Sequence, residues 1–180
     1  MIYTEMTKLA LRICFDAHKE QVDKSGLPYV FHPFHLAEEM KDEDTTVVAL
    51  LHDVIEDSEL CLDDLVKLGF SDDVIEAISL LTHDKADTYM EYVEKLSVNS
   101  IARAVKLADL KHNSDLTRLD VISERDISRR KRYEKAIAFL EDINSRTVDG
   151  LISDAKQTCE EVNKSVAHKS IESFVKEYEL

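Results

Sequence analysis

The eleven residues Val47 to Asp57, VVALLHDVIED, constrain this chain more than any other stretch. An apolar run with neither glycine nor proline reads as a helix buried in a core, yet an imidazole and three carboxylates fall in or beside it. Neighbouring helical positions diverge by roughly 100°. His52 and Glu56 are four apart and Asp53 and Glu56 three apart, so on a continuous helix they share one edge. Burying charge without a partner costs several kcal/mol. Either neighbours elsewhere in the fold satisfy these groups, or a cation sits among them.

The rest of the chain supplies further helices. Residues 3–20 place Met6, Leu9, Ala10, Ile13, Cys14 and Ala17 at a helical period. DKSGLPY, Asp23 to Tyr29, is turn chemistry, after which FHPFHLAEEM opens a second helix with Pro33 in its first turn. Asp44-Thr-Thr is placed to cap a third helix, Val47 to Glu56. Leu60 to Leu68 predicts a short helix, and Ser71 caps another from Asp72 to Leu81. Tyr89 to Leu96 and Ser100 to Asn113 follow, then one or two long helices over Asp126 to Ile143 and Ser153 to Tyr178. With only 3 Gly and 2 Pro in 180 residues, and 44% hydrophobic residues, the expectation is an all-α, single-domain helical bundle. No internal repeat breaks it. We expect a core over residues 1–145 and an extension over 146–180 that packs on the same domain through Val162, Val166, Ile171, Phe174 and Val175.

A formal charge of −14 repels polymeric nucleic acid and anionic membrane surfaces. Small anions remain admissible partners, because salt screens charges beyond about 10 Å and a local basic pocket can hold a phosphate. The cysteines Cys14, Cys61 and Cys159 are odd in number and form no CxxC pair, which reads as reduced packing residues. The first twenty residues carry too short an apolar run and too many charges for a signal peptide or spanning helix, so the expected compartment is the cytoplasm. The C-terminal segment is expected to pack on its own domain rather than to mediate a dimer, and an oligomer is not excluded.

Three separated places offer metal ligands: His32 at the head of the second helix, His52 and Asp53 in the third, and Asp109 within VKLADLKHN. Two imidazoles and two carboxylates form a mixed N/O set that suits Mn²⁺, Fe²⁺ or Zn²⁺ better than Ca²⁺ and leaves positions for solvent. Open positions point to catalysis. Each residue alone has a plainer explanation: a single helical histidine is more often a satisfied structural group, and acids at a helix end are commonly exposed.

The ordered segments AHKEQVDKSGLPYVFHP, ALLHDVIEDS and VKLADLKHN resemble the HD superfamily of metal-dependent phosphohydrolases, and within it the hydrolase domain of the RelA/SpoT family, including its hydrolase-only members. The resemblance covers roughly residues 9–140. It implies an HD-type bundle in which His32, His52, Asp53 and Asp109 hold a metal, usually Mn²⁺, while Glu56 and Asp57 orient or deprotonate the attacking water. By the same resemblance Lys24, Tyr29, Lys85, Asn113 and Arg129 contact substrate, and His112 either supports a ligand or packs in the core. Lys106 and Lys111 are weaker phosphate candidates, and His18 and Gln21 read as structural.

One departure stands out. Where the family often has Arg-Lys before Ser-Gly, this chain has Asp23-Lys24. An acid cannot make the cation–π contact with a purine that an arginine makes. The resemblance implies a Mn²⁺-dependent (p)ppGpp 3′-pyrophosphohydrolase acting on a small phosphorylated nucleotide. Two alternatives stay open: a general nucleotide or NADPH phosphohydrolase, and a non-catalytic nucleotide-sensing module.

Overall fold

The computed structural model describes the backbone of residues 1–178 except residue 85, and the side chains of residues 1–84, 86–150, 152 and 153. Among these residues the fold is all-α: α1 (Glu5–His18), α2 (Phe31–Glu39), α3 (Glu43–Leu51), α4 (Val54–Asp57), α5 (Leu62–Lys67), α6 (Asp72–Leu81), α7 (Tyr89–Leu96), α8 (Ser100–Ser114), a 3-10 turn (Leu116–Arg118) and α9 (Glu124–Tyr178). Extended pairing is limited to an isolated antiparallel bridge between Val22 and Pro28. No helix among the described residues is long and apolar enough to cross a membrane.

The chain divides into two compact units, Met1–Leu140 and Glu141–Leu180. The second unit is the remainder of α9, and the five apolar positions from Val162 to Val175 lie outside the described side chains. The boundary falls five residues before the expected one at 145.

In the first unit α3 is the axis. Every residue from Thr45 to Leu51 is buried, and α3 packs against α1, α2, α6 and α8. A helix that is apolar all round has no solvent face to offer and takes the centre. Its two threonines do not disturb this, since the Thr46 hydroxyl donates to the Asp42 carbonyl at 2.6 Å. The cap is Asp42, whose carboxylate accepts from the Thr45 amide, so α3 begins at Glu43 rather than after a cap at Asp44.

The expected single helix from Val47 to Glu56 is two. α3 stops at Leu51, and α4 begins after a turn at His52 and Asp53, where Asp53 has φ −102° and ψ −5°. His52 Nδ1 donates to the Ala49 carbonyl at 2.8 Å, occupying the acceptor that the Asp53 amide would use in a continuous helix. Glu56 lies on α4, beyond the break, and accepts the His83 amide. Before α2, Gly26 adopts φ +77° at the tip of the turn predicted from DKSGLPY, a backbone state open to glycine at no steric cost. The amide of Asp23 bonds the Leu27 carbonyl at 2.7 Å and closes this short hairpin.

Candidate metal centre

The α2 start, the α3–α4 turn and the middle of α8 meet at one point. His32, His52 and Asp109, all buried, present ligand atoms that lie within 4.8 Å of one another. His52 Nδ1 is the donor to Ala49, so in the neutral ring Nε2 carries a lone pair. That Nε2 is 3.0 Å from Asp53 Oδ2, and His32 Nε2 is 3.2 Å from Asp109 Oδ1. Neither Nε2 has a hydrogen-bond partner, although both are fully buried. A lone pair facing a carboxylate at this range is repulsive unless a cation lies between them, and the N/O donor set fits a borderline divalent metal. The field shows the same demand on a proton: burial opposes charging His52, yet Asp53 and Asp109 raise its pKa to about 9.

Asp109 is the most densely held of these groups. Lys106 donates to its Oδ2 at 2.8 Å and the Asn113 amide to its Oδ1. Burial works to raise its pKa, but Lys106 and the two histidines hold it well below the carboxylate range. Lys106 is therefore an ion-pair partner of a candidate ligand, lying 5.2 Å over the Tyr92 ring, and not a free phosphate contact.

Asp53, expected as a fourth ligand, stands at the edge of the cluster. Its Oδ2 touches His52 Nε2 and accepts a hydrogen bond from the Tyr29 hydroxyl, so it borders the three-residue group without joining it. Tyr29 packs edge-on against His18, with ring centroids 5.1 Å apart. The buried His18 in turn holds Gln21, whose amide donates to the Asp57 carbonyl at 3.2 Å. Glu56 is exposed and accepts the His83 amide at 2.7 Å. Burial and the charge of Asp53 push the Asp57 carboxyl upward.

Beside the cluster opens a cavity of about 290 Å³, lined among others by Lys24, Tyr29, His32, Asn113, Arg118 and Arg129. Four of the five predicted substrate residues thus share one wall system with a candidate ligand. The fifth, Lys85, lies outside the described residues. Lys24 and Arg129 both reach Asp126, at 3.9 and 2.7 Å. Among the lining residues missed in the sequence are Tyr133 and Arg118. Tyr133 follows Arg129 by four and shares its helical face, a readable signal. Arg118 meets Asp23 at 3.0 Å, and the signal was Asp23 itself, since a partly buried acid in a substrate loop calls for a cation from elsewhere.

No protein-family model matches the sequence. The chain is 35% identical over 118 residues to the bifunctional (p)ppGpp synthase/hydrolase SpoT of Escherichia coli K12, an alignment covering 58% of this chain and 17% of that protein. It is 33% identical over 137 residues to a GTP pyrophosphokinase of Streptomyces coelicolor, covering 69% of this chain and 15% of the relative. Among solved structures, one described as a metazoan ortholog of SpoT that hydrolyzes ppGpp superposes with a TM-score of 0.64 at 25% identity, over 78% of this chain and 87% of that one. These similarities support an HD-type RelA/SpoT hydrolase domain in this chain. This HD domain spans less than a fifth of the length of the curated relatives it matches. Its candidate metal centre lies on α2, the α3–α4 turn and α8.

Proposed function

We propose that this HD domain is a Mn²⁺-dependent (p)ppGpp 3′-pyrophosphohydrolase. The observation that carries the reading is the pair of buried imidazole Nε2 atoms, of His32 and His52, beside carboxylates, the first of these residues lining a cavity that also holds Lys24, Asn113 and Arg129. The names and titles of its relatives support it, because several are guanosine-3′,5′-bis(diphosphate) 3′-pyrophosphohydrolases, including that of Borreliella burgdorferi at 31% identity.

His32, His52 and Asp109 would hold the metal, with Asp53 at its margin. When bound, the ion supplies Lewis-acid polarisation and eases deprotonation of water. Asp57 accepts the proton of the attacking water, since an upward-shifted carboxyl is better matched to neutral operation. Glu56, fixed by the His83 amide, orients that water. Attack at the phosphorus on the ribose 3′-oxygen breaks that P–O bond. The water oxygen stays on the phosphorus of the released pyrophosphate, and the ribose 3′-oxygen is the leaving group and takes up a proton. Lys24 and Arg129 offset the negative charge that develops. A cytoplasmic location fits this reading, with Cys14 and Cys61 as free thiols.

A second reading rests on Asp23. Its Oδ1 accepts the amides of Ser25 and Leu27 at 2.8 and 3.0 Å, and its Oδ2 takes Arg118, so three of its roughly four acceptor sites serve the hairpin and Arg118 rather than a base. Recognition through phosphate and ribose alone would make the domain a broader nucleotide or NADPH phosphohydrolase. A product assay on Mn²⁺-reconstituted protein separates the two: pyrophosphate from (p)ppGpp supports the first, orthophosphate from 2′- or 3′-monophosphates the second. Tight nucleotide binding with no product would leave a sensing module. Asp53→Ala and Asp109→Ala are expected to abolish turnover while the far-ultraviolet dichroism stays helical; activity surviving at stoichiometric Mn²⁺ would count against the site.

A further inference from the structure

We propose that Arg118 is a positioning residue that fixes the tautomer of His32 through His112, and so keeps the His32 Nε2 lone pair available to a metal. The proposal rests on the metal reading above for its consequence, but not for its structural content.

Arg118 ends the 3-10 turn after α8. Its Nη1 lies 3.0 Å from His112 Nδ1 and 3.3 Å from the His112 carbonyl. Its Nη2 lies 3.0 Å from Asp23 Oδ2, and its own carbonyl accepts the Ser25 hydroxyl. A guanidinium donates and never accepts. His112 Nδ1 is therefore an acceptor, and the ring proton of His112 sits on Nε2. His32 Nδ1 is 2.7 Å from that same His112 Nδ1. Two acceptors do not approach so closely, so His32 Nδ1 carries the proton and donates. The neutral ring then has its lone pair on Nε2, the atom aimed into the cluster with His52 and Asp109.

The opposite arrangement is a real competitor. Were His112 Nδ1 protonated, it would donate to His32 Nδ1, and the His32 proton would move to Nε2. There it would face Asp109 Oδ1 at 3.2 Å, a contact whose direction makes no hydrogen bond. That state blocks one ligand. Arg118 selects against it, because its N–H would then face an N–H. Asp23 holds Arg118 in place, and Asp23 is also the residue on which the amides of Ser25 and Leu27 converge. The 22–28 hairpin and the ligand thus belong to one hydrogen-bonded chain: hairpin amides, Asp23, Arg118, His112, His32. Asp23 anchors this chain.

The test combines imidazole ¹⁵N chemical shifts of the metal-free protein with the affinity for Mn²⁺ alone. Wild type is expected to show His32 protonated at Nδ1 and His112 at Nε2. In Arg118→Met, His32 gains the Nε2-protonated form, and Mn²⁺ affinity falls by about 10–100-fold, the usual effect of losing an outer support of a metal ligand. The double variant Arg118→Met/His112→Asp is expected to recover that affinity. Its carboxylate oxygen, bonded to Cγ as Nδ1 is, accepts from His32 without help from an arginine. A merely structural Arg118, holding the 3-10 turn in place, gives no such rescue. Unchanged His32 tautomers in Arg118→Met, or a double variant as weak as the single one, overturns the proposal. Wild-type protein with the stated tautomers but no Mn²⁺ affinity overturns the metal reading instead.

Discussion

Tyr29 and Asp23 sit six residues apart and divide the work of the substrate hairpin. The Tyr29 hydroxyl donates to Asp53, and burial together with the charge of Asp53 pushes the phenol upward, so it stays a donor at any working pH. Because it acts on Asp53, Tyr29→Phe is expected to lower kcat by about 10–100-fold at saturating Mn²⁺ with little change in KM. Steady-state kinetics decide this; a higher KM with unchanged kcat would return Tyr29 to direct substrate contact. For Asp23, burial alone would raise the pKa. The amides of Leu27 and Ser25 and the Arg118 guanidinium outweigh it, and the carboxyl lies below its ordinary value. A depressed folded pKa stabilises above the unfolded value, about 3.9, and the benefit disappears as pH falls through the folded value. Asp23→Asn should thus cost about 1–2 kcal/mol at neutral pH. Urea unfolding across the acid range should show the gap to wild type closing below about pH 4.

At the scale of elements, α3 carries the fold and aims the site. Leu50 is fully buried on it, and Leu50→Ala is expected to destabilise by about 2–5 kcal/mol in urea unfolding, the range for emptying a packed leucine site. The start of α6 was legible, since Ser71 accepts the Val74 amide, whereas α3 is capped by Asp42 and not by Asp44. The α3–α4 break was not legible. It depends on a side chain bonding its own backbone at Ala49, and the hydrophobic period is blind to that contact. The break matters chemically, since it leaves Asp53 against His52 Nε2 and lets Glu56 reach the His83 amide.

For the whole molecule, ligand linkage gives a direct measurement. Mn²⁺ at about 100 times its Kd should stabilise the fold by about 2.7 kcal/mol, which is a rise in Tm of roughly 5–10 °C for a chain of this size. Calorimetry with and without Mn²⁺ checks it, and His52→Ala should abolish the shift. The all-α class, the helical segments and the three motifs bearing His32, His52 and Asp109 were set by the amino-acid order, because periodicity, caps and the scarcity of glycine and proline are properties of neighbours along the chain. Which groups meet was decided by folding. Helix packing brought α2, the α3–α4 turn and α8 to one point, left Asp53 at the margin and engaged Lys106 with Asp109. The pairing of Asp23 with Arg118 spans 95 positions, and a contact of that range exists only once the tertiary structure has closed.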